Sequence, residues 1–269
     1  RIPFRSVLRS WLVLARKAVD EREAPEAVAN ALAPEGELFA LLGPAPLIFP
    51  AAPLLFPAAA PPERDSAAVC EAESAASFLR SLSGELFDLI LRIWMSEEAL
   101  ETALLEVCAE VGRRGAAILG DHGDPRVRAL SQSSRRVLRE IHRLVGLARF
   151  SLRGDGLWSA PIEPDHNVLS ALVPSFARRF GNEAFAIVDA RRRLAVRAQG
   201  GSAETMEGDS AMSLLPDGED EDDERLWRRY FKATENPARI NPGLQRRLMP
   251  VRYWKYLPEL RVVEGRGSP

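Results

Sequence analysis

The chain has 269 residues, of which 46% are hydrophobic, so it is long enough to bury the core of one or two domains. Its two cysteines, Cys70 and Cys108, are too few for a disulfide framework, a zinc cluster or an iron–sulfur cluster. No apolar run reaches the roughly 18–20 residues that cross a bilayer, and arginines interrupt the N-terminal segment, so we expect a soluble, cytoplasmic protein.

The formal net charge of −2 conceals two oppositely charged segments. Residues 219–224 read Glu-Asp-Glu-Asp-Asp-Glu, a block of six acids. From Arg225 to Lys255, nine arginines and lysines stand against one acid, Glu235. Such a basic segment is compatible with nucleic-acid binding, whereas an acidic block ahead of a helix also suits the helix dipole.

In the N-terminal half, apolar residues at helical spacing predict a helix from Phe4 to Val19, and Pro25 predicts the start of a short helix that ends at Leu32. Residues 44–62 contain seven prolines among Ala, Leu and Phe, which excludes regular structure and predicts an extended apolar segment. A further helix is predicted from Ser77 to Trp94. Ser96, followed by two glutamates, predicts the N-cap of the next helix.

The centre of the chain begins with a long helix, predicted from about Pro125 to Phe150, whose arginines crowd its outer faces. A strand is predicted over 157–162. Next come a helix over 167–172 and a separate helical turn over 174–180. Two strands at 184–188 and 194–197 then give a hairpin signal.

Four predicted features end the chain. Residues 200–216 are rich in Gly, Ser and Met and predict a mobile stretch. A helix follows from about Asp223 to Thr234. Asn241-Pro242 and Met249-Pro250 each predict the start of a short helix.

Together these elements predict an α+β fold, mainly α-helical, with a small antiparallel β-sheet made of one hairpin plus a short strand. The expected organisation has five parts: N-terminal helices and a proline-rich segment (1–62), a helical core with the hairpin (63–199), a mobile acidic linker (200–224), an aromatic and basic helical segment (225–260) and a tail (261–269).

The aromatic and basic segment is the main candidate for a binding surface. All three tyrosines and two of the five tryptophans fall between Trp227 and Tyr256, beside arginines and lysines. Aromatic faces next to fixed positive charge can stack bases and neutralise phosphates. The alternative is a packed subdomain in which arginine side chains lie over the rings.

Known catalytic motifs are missing from the sequence: there is no dinucleotide-binding GxGxxG, phosphate-binding loop, GxSxG elbow or HExxH. Glu140, His142, Glu163 and His166 are weak candidates for an acid/base or metal site. The alternative is a histidine satisfied by a nearby carboxylate that fixes a loop to a helix. We therefore expect no metal or cofactor, and expect that this chain alone is not an enzyme.

Several short motifs follow one another in a fixed order along the C-terminal half. They are Arg136-x-x-x-Glu140-Ile141-His142 with Arg149-Phe150, Glu163-Pro164-Asp165-His166, Phe176-Ala177-Arg178-Arg179-Phe180, Leu226-Trp227-x-x-Tyr230-Phe231, Asn236-Pro237-Ala238-Arg239, and Met249-Pro250-x-Arg252-Tyr253-Trp254-x-x-Leu257-Pro258-Glu259. This order resembles a bacterial family of proteins assigned to DNA metabolism or DNA repair. The resemblance runs from about Asp124 to Glu259. The proline-rich segment and the acidic block depart from it.

Members of that family occur fused to or encoded beside a uracil-DNA glycosylase-like domain and beside a radical-SAM DNA-repair protein. The resemblance therefore implies an accessory DNA-binding protein of a base-repair or DNA-modification system, with DNA and one of those proteins as partners. The residues expected to contact DNA are Arg178, Arg179, Arg228, Arg229, Tyr230, Asn236, Arg239, Arg252, Tyr253, Trp254 and Lys255. A DNA-processing enzyme with a His/carboxylate site and a protein–protein adaptor without DNA contact are the alternatives.

Overall fold

The computed structural model describes residues 4–21, 66–216, 221–236 and 239–261. Its α-helices are α1 (Phe4–Glu21), α2 (Ser66–Leu82), α3 (Gly84–Met95), α4 (Glu101–Arg114), α5 (Pro125–Leu147), α6 (Leu169–Phe180), α7 (Gly208–Met212), α8 (Glu221–Thr234), α9 (Pro242–Leu248) and α10 (Pro258–Arg261). Its strands are β1 (Ser151–Leu152), β2 (Trp158–Ile162), β3 (Phe185–Asp189), β4 (Leu194–Gln199) and β5 (Ser202–Glu207). Residues Ala116–Gly120 and Val251–Tyr256 form 3₁₀ helices.

This architecture confirms the predicted α+β class with a mainly helical content, although the sheet is larger than the expected hairpin plus one strand. The predicted helix from Pro25 to Leu32, the proline-rich segment 44–62 and the tail from 262 lie outside the described residues. No helix in the described part of the chain has the length and apolar character needed to cross a membrane.

The chain divides into two compact units. Unit 1 comprises residues 1–140 and 166–170, and unit 2 comprises 141–165 and 171–269. Their sequence boundaries fall inside α5 and close to the start of α6. The chain therefore crosses from one unit to the other inside α5, in the bend between Asp165 and His166, and inside α6.

Unit 1 is built around α1 packed on α4. Leu12, Ala15 and Ala18 of α1 are fully buried, and α4 buries Val107 and Cys108. The two helices approach closely, because a Cβ atom added to Gly112 would lie 2.1 Å from the carbonyl oxygen of Val19. Burial also raises the pKa of the Cys108 thiol to about 12, so this cysteine is an inert core residue.

Two predicted helix boundaries in unit 1 are wrong. The helix predicted from Ser77 to Trp94 is two helices, because Ser83 adopts an extended conformation and its Oγ accepts a hydrogen bond from the Leu86 N–H, which caps α3. Ser96 does not cap the next helix. It ends α3, and its Oγ accepts from the Glu98 N–H, while α4 begins at Glu101 without a side-chain cap.

Unit 2 contains a five-stranded mixed sheet in the order β1-β2-β3-β4-β5. Strands β2 and β3 are parallel and are linked through α6, whereas the other neighbours are antiparallel. All five residues of β3 are buried, as expected for a central strand. The predicted hairpin of β3 and β4 is confirmed.

Strand β5 and helix α7 correct the expectation of a mobile stretch over 200–216. Gly200 and Gly201 both have positive φ and form the two-residue turn of a second hairpin, in which β5 pairs with β4 along its whole length. Leu157, Ala211 and Leu214 are buried in one cluster beside the sheet. Residues 202–216 are therefore a folded part of unit 2.

Helix α6 also differs from its prediction, because residues 169–180 form one helix with Pro174 inside it. Pro174 removes one intrahelical bond, the one that the Ser170 carbonyl would accept. Phe176 and Phe180 compensate by packing edge-to-face against Phe150, with ring centroids 4.9 Å and 4.7 Å away. Phe180 also stacks on Phe185 of β3 at 5.1 Å, which fixes the C-terminal half of α6 to the sheet.

Candidate nucleic-acid interface

Helix α8 is held in unit 2 by a buried carboxylate. Glu259, at the start of α10, has a side chain that is 1% exposed. It accepts a hydrogen bond from Arg149 Nη2 at 2.7 Å and another from Trp227 Nε1 at 2.8 Å. The guanidinium of Arg149 also lies 4.6 Å from the centroid of the Trp227 ring. We call Arg149, Trp227 and Glu259 the Glu259 anchor.

The spacing of residues in α8 explains which face the anchor holds. Within residues 225–234 of α8, where burial is described, the half-buried positions are Trp227 and Phe231, four residues apart, and α8 packs against α10. Arg225, Arg229 and Lys232 recur at four and three residues on another face and are exposed. The anchor therefore orients the basic face of α8, which we call the α8 stripe (Arg225, Arg229 and Lys232), toward solvent.

A second polar network joins the loop after β2 to the 3₁₀ helix Val251–Tyr256. Glu163 accepts hydrogen bonds from Lys255 Nζ at 2.6 Å and from the Tyr256 hydroxyl at 2.7 Å. Asp165 pairs with Arg252 Nη2 at 2.5 Å. We call Glu163, Asp165, Arg252, Lys255 and Tyr256 the Glu163 network. It lies wholly within unit 2.

Ionisation in the Glu163 network follows from these contacts. Burial alone would raise the pKa of Glu163, but the hydrogen bonds from Lys255 and Tyr256 hold that pKa below its usual value. Burial, together with the bond to the Glu163 carboxylate, raises the pKa of the Tyr256 hydroxyl. At neutral pH the network therefore holds a carboxylate and a protonated tyrosine.

The other side of the same loop is fixed by Arg192. Its guanidinium donates to the carbonyl oxygens of Pro164 and Asp165 at 3.0 Å and 2.6 Å, and pairs with buried Asp189 at 2.7 Å. Burial raises the pKa of Asp189, although Arg192 acts in the opposite direction. Both sides of the Pro164–Asp165 turn are thus tied to folded elements.

Among the residues expected to contact DNA, those of the 3₁₀ helix Val251–Tyr256 have internal side-chain partners or are buried. Arg252 and Lys255 are ion-paired with Asp165 and Glu163. Tyr253 is buried, and its hydroxyl oxygen accepts from Arg252. Trp254 is half-buried and donates to the Met249 carbonyl oxygen at 2.9 Å. These contacts hold the 3₁₀ helix in the fold, which is a structural role.

The other residues of that set are exposed, and so are the side chains of Arg252 and Lys255. Arg178 and Arg179 lie in the last turn of α6. Arg228, Arg229 and Tyr230 lie on α8. Asn236 follows α8, and its carbonyl oxygen accepts from the exposed Arg239 N–H at 2.9 Å. The set that the structure leaves accessible is therefore centred on α8.

The weak acid/base candidates occupy different environments. In unit 1, Glu140 is buried and its Oε2 accepts from the His166 N–H at 2.7 Å, while His166 Nδ1 accepts from the Glu97 N–H. The Glu140 carboxylate thus holds the loop to the helix through the backbone N–H of His166. In unit 2, His142 is exposed and Glu163 belongs to the Glu163 network. The described residues contain no group of three His, Cys, Asp or Glu side chains that could hold a metal.

Sequence reasoning missed four residues that define this surface. Arg225 and Lys232 complete the α8 stripe. Their spacing of four and three residues from Arg229 indicates one helix face and could have been recognised in the sequence. Arg149 and Glu259 stood in the quoted motifs, but no role was assigned to them. Their pairing joins residues 110 positions apart in the sequence, which a single chain without its fold cannot reveal.

Comparison with known proteins places these motifs in one family. Residues 98–259, more than half of the chain, match the family model DUF4130, described as a domain of unknown function. No curated protein and no solved structure matched the chain. The matched region includes Arg149, Trp227 and Glu259, as well as the Glu163 network. The chain therefore belongs to the DUF4130 family.

Proposed function

We propose that this protein is an accessory DNA-binding protein of a bacterial base-repair or DNA-modification system, acting with a uracil-DNA glycosylase-like or radical-SAM partner. One observation carries the DNA-binding part of the proposal: all nine arginines and lysines between Arg225 and Lys255 have exposed side chains. The pathway and the partners are proposed from the resemblance of the chain to DNA-repair proteins.

The α8 stripe is the best-defined part of this surface. Its three cations follow one face of a helix whose other face is held by the Glu259 anchor. The helix backbone fixes the spacing of these side chains, and each phosphate contact releases condensed counterions from the DNA. Arg252 and Lys255 contribute less to the proposal, because Asp165 and Glu163 already compensate their charges.

The proposal is tested by measuring binding to labelled single- and double-stranded oligonucleotides. Each oligonucleotide is used with and without uracil, at two salt concentrations. We expect affinity to fall steeply with salt, since phosphate contacts dominate such surfaces. Absence of binding at low salt would contradict the proposal.

A second candidate function, a protein–protein adaptor, is favoured by helix α9. Ile240, Leu244 and Leu248 are spaced by four residues and are 58%, 41% and 56% exposed. No side chain of α9 is buried, although Asn241 caps the helix through the Leu244 N–H at 2.9 Å. A helix this short is not stable alone in water, and its apolar row is what a partner's hydrophobic groove accommodates.

This function is tested by partner-binding titrations. The purified glycosylase-like and radical-SAM proteins proposed as partners are titrated with the Leu244→Asp and Leu248→Asp variants. An adaptor would lose partner affinity at least tenfold in both variants, while Leu152→Asp, exposed on β1, would bind as wild type. Unchanged partner binding in the α9 variants would contradict an adaptor role for α9.

A further inference from the structure

Tyr230 stands apart from the other aromatic residues. Among the aromatic residues from Phe78 to Tyr256, all of which the structure describes, it is the one whose side chain is largely exposed, at 58%. Its ring centroid lies 5.6 Å from that of Trp227, with 36° between the ring planes. Trp227 is itself fixed by Glu259 and Arg149. The tyrosine ring therefore rests against a rigid neighbour and presents its other side to solvent.

The neighbouring rings cannot take the same role. Tyr253 is buried, Trp254 donates its indole N–H to Met249, and the Tyr256 hydroxyl donates to Glu163. Tyr230 is thus the position in the segment 225–256 where an aromatic face is available to a ligand.

Helical geometry places this ring at a definite position relative to the α8 stripe. With 3.6 residues per turn, Arg225, Arg229 and Lys232 share one face, and Tyr230 lies roughly a third of a turn from the middle of that face. Leu226 and Ala233 occupy the surface between them. A ligand with an aromatic group and a flanking negative charge can therefore contact the ring and the stripe together.

We propose that Tyr230 is the stacking platform for one unpaired base of a single-stranded nucleic acid whose phosphates follow the α8 stripe. In a duplex the base faces are covered by neighbouring pairs, so only an unpaired base offers a free face to the ring. The inference rests on the proposed DNA-binding function and narrows it to the single-stranded form. DNA and RNA share this chemistry, and the test separates them.

The test measures binding of fluorescein-labelled thymidine and uridine 12-mers and of a 12-base-pair duplex to the full chain at two salt concentrations. Tyr230→Leu removes the ring but keeps an apolar side chain, and Tyr230→Phe keeps the ring. Leu152→Ala on β1 is the matched control at another exposed apolar position. Urea unfolding midpoints check that each variant is folded.

We expect Tyr230→Leu to weaken binding of the thymidine 12-mer about 5- to 100-fold, since stacking on one aromatic side chain contributes about that factor. Tyr230→Phe and Leu152→Ala should bind as wild type. Affinity for the duplex should change less than twofold in each of the three variants. Tighter uridine binding with the same dependence on Tyr230 would support stacking and contradict DNA as the preferred polymer.

Two results would overturn the inference and are distinguishable. Salt-dependent binding that Tyr230→Leu leaves unchanged would contradict stacking while leaving the proposed function intact. Absence of binding by the wild-type chain to every oligonucleotide would contradict the proposed function and the inference together.

Discussion

Glu259 links α8 to the rest of unit 2, because its buried carboxylate accepts hydrogen bonds from both Arg149 and Trp227. Glu259→Gln keeps the shape of the side chain but leaves the Arg149 charge without its counterion. Removing one partner of a buried pair is costly, and Arg149 is 21% exposed, so we expect a loss of about 2–3 kcal/mol in unfolding free energy. Urea denaturation measures it.

The matched control for that substitution is Glu235→Gln, at an exposed glutamate just after α8. Its unfolding free energy should stay within about 0.5 kcal/mol of wild type. Equal stability of the Glu259→Gln and Glu235→Gln variants would show that the anchor does not stabilise the fold.

Glu163 gives a prediction about pH. Its pKa is lowered in the folded chain, so its ion pair stabilises the protein fully above the usual glutamate value of 4.5 and is lost as pH falls through the lower folded-state pKa. Glu163→Gln should therefore lower stability at pH 7 by at most about 1 kcal/mol, because the Lys255 side chain is 54% exposed. The difference between wild type and variant should shrink as the pH falls below 4.5 through the folded-state pKa of Glu163. Urea midpoints at several pH values measure this, and a pH-independent difference would contradict the assignment.

At the scale of elements, the contact between α1 and α4 depends on one glycine. Gly112→Ala would force the helices apart, because the new Cβ would meet the Val19 carbonyl oxygen. We expect a loss of roughly 1–3 kcal/mol, which outweighs the gain of about 1 kcal/mol in helix propensity. Gly146→Ala in α5, where the Cβ would meet nothing within 4 Å, should be neutral or slightly stabilising. Thermal melting of both variants tests this, and equal melting temperatures would contradict close packing at Gly112.

Elements with strong local signals could be predicted from the sequence. Pro125 starts α5 and Asn241 caps α9, as their residue types indicate. Strand β5 was missed because its residues, Ser-Ala-Glu-Thr-Met-Glu, are half exposed and form a strand through pairing with β4. The Gly200-Gly201 pair was a readable hairpin signal. Pro174 predicts a break between two helical segments, but the helix continues through it. Packing of Phe176 and Phe180 against Phe150 stabilises the helix by more than the lost hydrogen bond costs.

At the scale of the whole molecule, the motifs that resemble DNA-repair proteins include widely separated segments that meet in unit 2. Arg149, Trp227 and Glu259 form one cluster, and Glu163 meets Lys255 and Tyr256 in another. The motifs quoted from the sequence already contain the segments that form these two clusters. It could not divide their residues between framework and surface, because that division depends on burial and on partners distant in the chain.

The central claim is that the α8 stripe binds DNA, and the salt dependence of the dissociation constant tests it most directly. Two variants carry the same change in charge: Arg225→Gln, Arg229→Gln and Lys232→Gln together on α8, and Arg128→Gln, Arg135→Gln and Arg139→Gln together on α5, all at exposed positions. With single-stranded DNA, we predict that the α8 variant lowers the slope of log affinity against log salt by about 2, since each phosphate contact contributes about 0.7. The α5 variant should retain the wild-type slope. An equal decrease of the slope in the two variants, or a wild-type slope in the α8 variant, would contradict the claim.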